Sequence, residues 1–331
     1  MVKIDVRKLI SFGKGSYIVS MPKSWIQKNN LKKGDLISVN DDGFELVLRA
    51  KQEENKADAR EIDIDAKGKN TELIEAEIVS SYLNGYDTIN IIFDNHSKEA
   101  PRIKDILRNL SGLEIMEQTS TRIMAKNLIN MNEISLKNII RRMDIITRAM
   151  IEDSIQCCTG DCTYESIHDR DVDMNRLYFL GYRVIKNALK NPRLAKSLGT
   201  DPWQLHSDTL IMLRLEKIAD SQKRVARALC NNQLDRTMKS DLATLHTNIG
   251  ETYNEVMKSY YNQDRILAFK VETTNRERVA SFDRFLEKYT QLQKSSKNKN
   301  SILVTIAKVV EYLKATSAHV KSIARVVLCY E

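Results

Sequence analysis

The feature that most constrains the fold is the run of long amphipathic segments that fills the sequence after residue 131. The apolar periodicity predicts six helices, near 134–157, 163–192, 203–231, 236–262, 265–292 and 302–329. Three helices followed by three of similar length and spacing indicate an internal duplication of roughly 100 residues. We therefore predict an all-α region of tandem three-helix bundles, at residues 132–232 and 233–331.

Residues 1–50 follow a different pattern, in which short strands rich in Val and Ile alternate with turns. The strands are predicted at KIDV, KLIS, YIVSM, LISV and FELVL, and the turns at FGKGS, LKKGD and NDDGF. Pro22 cannot donate to a sheet ladder, so it ends the YIVSM strand, and SWIQKNN then forms a short helix. Such a small all-β unit cannot bury a core alone, so we expect it to pair with a second copy.

Two further segments separate the β unit from the helices. Residues 51–58 are charged and nearly without apolar side chains, a composition typical of a linker. Residues 59–131 alternate in the order strand, helix, strand, helix, strand, strand, with a glycine after each helix. This pattern predicts a small α/β connector, for which the sequence indicates no function. The predicted fold class is therefore multidomain.

The balance of charge favours an anionic partner. Lys and Arg number 52 against 44 Asp and Glu, which gives a formal charge of +8. No apolar run approaches ~18 residues, and the N-terminal MVKIDVRKLISFGKG lacks the apolar segment of a signal peptide. We therefore expect a cytoplasmic protein without membrane insertion, in which the five cysteines are reduced thiols.

Motifs for catalysis are not found. The sequence has no P-loop, nucleotide fingerprint or nucleophile elbow, and the Glu-x-x-His pair used by di-iron bundles occurs once, as ESIH at 165–168. CCTGDC places Cys157, Cys158 and Cys162 together, but a thiolate metal site needs further ligands, and only His168 lies nearby in sequence. We expect ordinary loop thiols there, and no enzymatic activity.

The N-terminal segment has a recognisable order of elements. Its basic strand RKLIS, turn FGKGS, and segments YIVSMPKSW and LKKGDLISV resemble the swapped-hairpin DNA-binding domain of the AbrB, SpoVT and MazE antitoxin type. In that family two chains interlace their hairpins and grip DNA with basic residues near the first strand and turn. The resemblance implies a homodimer through residues 1–50 and DNA contacts from Arg7, Lys8, Lys14, Ser16 and Lys23.

Charge within the β unit is consistent with this resemblance. Residues 1–50 contain nine Lys or Arg residues and five Asp or Glu residues, a formal charge of +4. Net charge speaks only to non-specific attraction, so a dimerisation module with ordinary solvated lysines is the alternative interpretation.

Two rows of carboxylates stand out in the helical half. Glu165, Asp169 and Asp173 are four residues apart and form one inclined row on the second predicted helix. Glu216 and Asp220 repeat the spacing on the third predicted helix. If these helices lie side by side, their carboxylate oxygens suit a cation such as iron, manganese, zinc or magnesium.

The same acidic residues also have basic neighbours in the sequence. Asp173 has Arg176 three residues on, and Asp220 has Lys223 three and Arg224 four residues on. Ordinary ion pairs on the helix surface are therefore the alternative explanation of both acidic rows.

The helices RDVDMNRLYFL and LRLEKIADSQKRVA look like those of the PhoU family of phosphate-uptake regulators, and the resemblance covers residues 134–331. That family carries paired E/D-x-x-x-D motifs that bind metal clusters on the bundle surface, and the two acidic rows match them by position. The second bundle departs from the motif, with Asn275, Val279 and Ala315 at the corresponding places. The resemblance therefore implies a divalent or iron-type metal at the first bundle only.

Together, the two resemblances match an archaeal-type fusion of a DNA-binding module to a PhoU-like regulator. They imply a transcriptional regulator of phosphate uptake and homeostasis, whose helical domain senses metal, phosphate status or a partner. The alternative is a PhoU-like adaptor that regulates a phosphate transporter by protein contact, with the β unit serving for dimerisation. The sequence leaves the DNA target, the metal and the sign of regulation open.

Overall fold

The computed structural model describes residues 6–41, 46–50, 60–94, 99–160, 162–230, 234–292 and 300–329. The chain divides into two compact units, Met1–Ala59 and Arg60–Glu331. Three predictions fall outside the described residues: most of the KIDV strand, most of the NDDGF turn, and the linker at 51–58.

The first unit contains two antiparallel hairpins and one short helix, as predicted. Its elements are β1 (Ile10–Phe12), β2 (Ser16–Ile18), α1 (Lys23–Lys28), β3 (Ile37–Asp41) and β4 (Leu46–Ala50). β1 pairs with β2, and β3 pairs with β4. Gly13 adopts a φ of +68° in the β1–β2 turn, a conformation that residues with a Cβ rarely adopt. Pro22 precedes α1, as expected for a residue that stops a strand and admits a helix.

The second unit begins with an α/β subdomain that matches the predicted order of elements. They are β5 (Glu61–Asp65), α2 (Thr71–Leu83), β6 (Thr88–Ile92), α3 (Ala100–Arg108), β7 (Leu113–Gln118) and β8 (Arg122–Asn127). The sheet order is β5-β6-β8-β7, with β5 and β6 parallel and the other neighbours antiparallel. Its core is formed by isoleucines and leucines of both helices and the central strands.

The rest of the second unit is helical. The helices are α4 (Leu136–Thr159), α5 (Tyr164–Lys190), α6 (Pro192–Ser197), α7 (Pro202–Cys230), α8 (Arg236–Asn262), α9 (Arg265–Thr273), α10 (Asn275–Leu292) and α11 (Asn300–Leu328). The six predicted helices are confirmed in place, but the fifth is divided into α9 and α10 and the break before α7 contains the short α6. No helix within these described segments is both long and apolar enough to span a bilayer.

Local side-chain hydrogen bonds account for the divided helix. At the break, the Thr274 hydroxyl donates to the Lys270 carbonyl at 2.8 Å, and the Arg278 guanidinium donates to the Val271 carbonyl at 2.6 Å. Hydroxyl and guanidinium groups that bond to helix carbonyls compete with the backbone ladder. The apolar periodicity is nearly unaffected by such competition, so the pattern predicted one continuous helix.

The two predicted bundles share one hydrophobic core. α7 packs against α4, α5 and α11, and α4 also packs against α8. At the centre, Gln222 of α7 accepts from Ser154 of α4 at 2.8 Å and contacts His246 Nε2 of α8 at 2.7 Å. The Gln222 amide also donates to the Thr316 hydroxyl of α11 at 3.0 Å. Four helices therefore meet at one buried polar network, which fixes how the two bundles pair.

A buried arginine joins the helices to the α/β subdomain. Arg183 of α5 is 1% exposed; it donates to the Tyr82 carbonyl, and to the Tyr86 carbonyl at 3.1 Å. Its guanidinium lies 4.7 Å from the centroid of the Tyr82 ring and 3.9 Å from the Asp87 carboxylate. A buried charge is tolerated only with such partners, so this contact ties α5 firmly to α2 and to the start of β6.

Candidate nucleic-acid interface and ligand sites

All five predicted DNA-binding residues are exposed on the first unit. Arg7 and Lys8 precede β1, Lys14 lies in the β1–β2 turn, and Ser16 opens β2 opposite Phe12. Four of the five therefore lie on one hairpin and the chain that leads into it. Lys23 is separate, at the first turn of α1.

The same unit exposes most of its apolar side chains. No described side chain between residues 6 and 50 is buried in the single chain. Phe12 is 64% and Tyr17 72% exposed, and the other large exposed apolar residues are Val6, Leu9, Ile10, Ile18, Val19, Leu36, Val39 and Leu46. Apolar surface at this density marks an interaction site.

The predicted metal ligands on the two helices differ in how exposed they are. On α5, Glu165, Asp169 and Asp173 are exposed, whereas Glu216 and Asp220 on α7 are half-buried. Burial raises the pKa of Glu216. The nearby Lys217 charge lowers this pKa, whereas the charges of Asp220 and Asp171 raise it further. None of the five predicted ligands belongs to a group of three candidate ligand atoms within 4.8 Å among the residues that the structure describes. Metal binding by the two rows stays a prediction.

Basic side chains lie next to the carboxylates of both acidic rows. Lys223 of α7 reaches across to Asp171 of α5 at 2.6 Å and lies 3.7 Å from Asp220. Arg224 contacts Asp220 at 2.8 Å, and Arg176 lies 3.9 Å from Asp173. The predicted ion pairs within each helix are therefore formed, and an interhelical pair joins them.

Asp171 is a carboxylate beside the acidic rows that the spacing argument left out. It is buried, and it follows Ile167 and precedes Met174 on the inward face of α5. A carboxylate on an otherwise apolar stripe was the available signal. Its partner Lys223 was visible only as a neighbour of Asp220, because pairing between helices leaves no mark in either sequence.

A second buried carboxylate was also missed. Asp144 of α4 accepts hydrogen bonds from Tyr253 at 2.7 Å and Tyr261 at 2.9 Å, both on α8. Arg148, one turn on, donates to the same carboxylate at 2.9 Å. Burial raises the pKa of the Tyr253 hydroxyl, and the adjacent Asp144 charge adds to this effect, so the tyrosine stays a donor. The arrangement is a fully paired structural contact between the bundles.

The cysteines depart from the expectation of independent loop thiols. Cys157 near the end of α4, Cys162 before α5 and Cys230 at the end of α7 have sulfur atoms within 4.8 Å of one another. The Cys162 sulfur contacts both of the others at bonding distance. Cys158 points instead into the core, where its sulfur lies 3.9 Å from His246 Nδ1. The third member of the cluster is therefore Cys230, 68 residues after Cys162, and not Cys158, which is next to Cys157 in sequence.

Comparison with known proteins bears on the first unit. A family model described as antidote-toxin recognition MazE, bacterial antitoxin, matches residues 10–56, which include both hairpins and α1. No curated protein matches the chain. The N-terminal unit is therefore similar to a MazE-type antitoxin domain, as its order of elements predicted.

Proposed function

We propose that the protein is a dimeric DNA-binding transcription regulator that contacts DNA through the β1–β2 hairpin. The observation that carries this proposal is a set of exposed polar and basic residues on the β1–β2 hairpin and on the chain that leads into it (Arg7, Lys8, Lys14, Ser16). The hairpin, with Lys14 and Ser16, lies within the MazE-like segment 10–56. Arginine and lysine at such an edge neutralise phosphates and position the protein on the duplex.

Dimerisation follows from the exposed apolar side chains of the same unit. A second copy would cover residues such as Phe12 and Tyr17 and bring two basic hairpins onto one duplex. If about four basic groups per chain meet phosphates, a dimer neutralises ~8, and the slope of log affinity against log salt is near −7.

The finer proposal is that the regulator acts in phosphate uptake and homeostasis. Its support is the PhoU resemblance of residues 134–331, in which the acidic rows on α5 and α7 hold a divalent or iron-type metal. Metal, phosphate status or a partner would change the helical region, and the α/β connector would pass the change to the hairpins. Loss of metal from an Asp169→Ala/Asp220→Ala variant would support the ligand assignment, and unchanged metal content would reject it.

The central test is DNA binding by the full-length protein across a salt series. The probes are its own upstream region and those of phosphate-transport genes. The comparison is between the natural protein, an Arg7→Ala/Lys14→Ala variant, and a Lys28→Ala/Lys33→Ala control that removes equal charge from exposed sites off the hairpin. DNA binding that depends steeply on salt, and that only the hairpin variant loses, supports the regulator. Weak DNA binding that is the same for all three proteins rejects this function.

A second candidate function is an adaptor that contacts a phosphate transporter. It is favoured by Ile266, 85% exposed, and Phe269, 60% exposed, which lie one turn apart on the surface of α9. Capture of a transporter ATPase that is lost in an Ile266→Ser/Phe269→Ser variant, without DNA retention at physiological salt, would support the adaptor.

A further inference from the structure

Three cysteines, two of them five residues apart and the third 68 residues further on, converge at one end of the first bundle. Cys157 and Cys162 have Cα atoms 4.1 Å apart, and those of Cys162 and Cys230 are 5.8 Å apart. The three sulfur atoms all lie within 4.8 Å of one another, so they are close enough to bind one metal ion together.

The three sulfurs lie where the ends of two helices meet the start of a third. Cys157 lies in the last turn of α4, Cys230 is the last residue of α7, and Cys162 comes two residues before α5 begins. The Cys162 sulfur is 3.8 Å from the carbonyl oxygen of Ala226, so it lies against the last turn of α7.

Access to the site is graded from the surface inwards. Cys230 is exposed, Cys162 is half-buried and Cys157 is buried. An ion can therefore enter from the Cys230 side, while the inner thiolate is shielded from water and oxidants.

We propose that Cys157, Cys162 and Cys230 form a three-thiolate site for a thiophilic closed-shell metal ion, of the class of Cu⁺ and Zn²⁺. Thiolates are soft ligands that select these ions over hard cations such as Mg²⁺. Three thiolates complete a trigonal site for Cu⁺, whereas Zn²⁺ would take a water molecule as its fourth ligand. The bound ion would clamp the ends of α4 and α7 to the start of α5.

The site shares no ligand residue with the carboxylate rows, and the experiment distinguishes the two. Full-length protein carrying Asp169→Ala/Asp220→Ala is prepared reduced and without oxygen, then loaded with Zn²⁺ alone or Cu⁺ alone. Retained metal is measured by elemental analysis after competition with a chelator, together with the ultraviolet absorbance of metal–thiolate bonds. We expect one ion per chain, with retention at least about tenfold lower after Cys157→Ser, Cys162→Ser or Cys230→Ser.

The chain supplies its own cysteine controls. Cys158→Ala removes the buried neighbour in sequence, whose pKa burial raises to about 12, and Cys329→Ser removes an exposed thiol at the end of α11. Both are expected to keep the ion. Circular dichroism checks that each variant remains helical, and Cys230→Ser, at an exposed helix end, is the variant least able to disturb folding.

The outcomes separate clearly. Retention of Cu⁺ alone, or of Zn²⁺ with solvent as fourth ligand, supports the site and identifies its ion. Equal retention by Cys230→Ser and the parent protein overturns it. The proposal is also overturned if metal-free protein kept under thiol reductant has a mass lower by two hydrogen atoms than the fully reduced chain. The three cysteines would then form one disulfide and one free thiol.

Discussion

The two units of the chain differ in how much apolar surface a single copy can bury. The first has no buried side chain among its described residues, whereas the second encloses one core under its sheet and another through its helices. Because burial of apolar surface is the main force that drives folding, we expect the second unit to hold its fold alone and the first to need a partner copy. In the proposed function, association and DNA contact are linked in one small unit, and the helical unit responds to other signals.

The largest effect is expected from breaking the apolar surface of the first unit. Phe12→Asp would place a carboxylate from each chain in the proposed dimer contact, where burial of an unpaired charge is strongly unfavourable. The dimer dissociation constant is expected to rise on the order of a thousandfold, equivalent to about 4 kcal/mol. Sedimentation should show monomers whose helical circular dichroism is unchanged.

Ser24→Asp is the matched control, because it adds the same charge at an exposed polar position of α1. It should remain dimeric. A Phe12→Asp protein that dimerises as tightly as the natural one would show that this apolar surface is not the contact, and the contrast between the units would fail.

The next effect tests whether the helical unit is stabilised from within one chain. Asp144→Ala removes the acceptor of Tyr253 and Tyr261 and leaves Arg148 without its carboxylate. The free energy of unfolding is expected to fall by about 3 kcal/mol, because a broken buried pair leaves an uncompensated charge. Urea denaturation followed at the helical signal measures it.

An exposed ion pair provides the comparison for Asp144. Asp283→Ala removes the partner of Lys314 at the surface and should leave the urea midpoint almost unchanged. Equal effects of the two substitutions would contradict the assignment of stability to the buried contact.

The buried histidine predicts a pH dependence confined to the helical unit. Burial lowers the pKa of His246 to about 3, so this side chain is neutral when folded and takes up a proton on unfolding below its ordinary pKa of about 6.5. Its contribution to stability is complete above pH ~6.5 and is lost as the pH falls. Between pH 7.5 and 5 the loss is about 2 kcal/mol, and His246→Gln should remove it. A slope unchanged by the substitution would place the titration elsewhere.

The sequence predicted the elements better than the contacts between them. Local rules decide where strands and helices begin, so Pro22, Gly85 and the apolar periodicity were enough to place most boundaries. They did not indicate that the two bundles share a core, because that depends on how α7 packs against α4 and α11 together. The Gln222 network shows the reason: four polar residues that look unremarkable in sequence become a single buried group only in the tertiary fold.

The candidate sites follow the same division. The place of Lys14 and Ser16 on the first hairpin was predictable because a local order of strand, turn and strand carries them, and their contact with DNA stays a prediction. The cysteine cluster was not, since Cys230 joins Cys157 and Cys162 only when the ends of α4 and α7 meet. Asp171 falls between these cases, because its place on the apolar stripe of α5 is a local signal and its Lys223 partner is not.

Two neighbouring carboxylates of α5 give the smallest and sharpest comparison. Asp171→Asn weakens the buried pair with Lys223 and should lower the free energy of unfolding by about 1.5 kcal/mol. Asp173→Asn removes only a distant surface contact with Arg176 and relieves repulsion from Asp169, so the stability of the metal-free protein should be unchanged.

Thermal melts of each variant with and without chelator complete the test. Destabilisation of Asp173→Asn only in metal-loaded protein would make this carboxylate a ligand. Equal melts in both states would leave the row as a charged surface balanced by its own arginines and by Lys223.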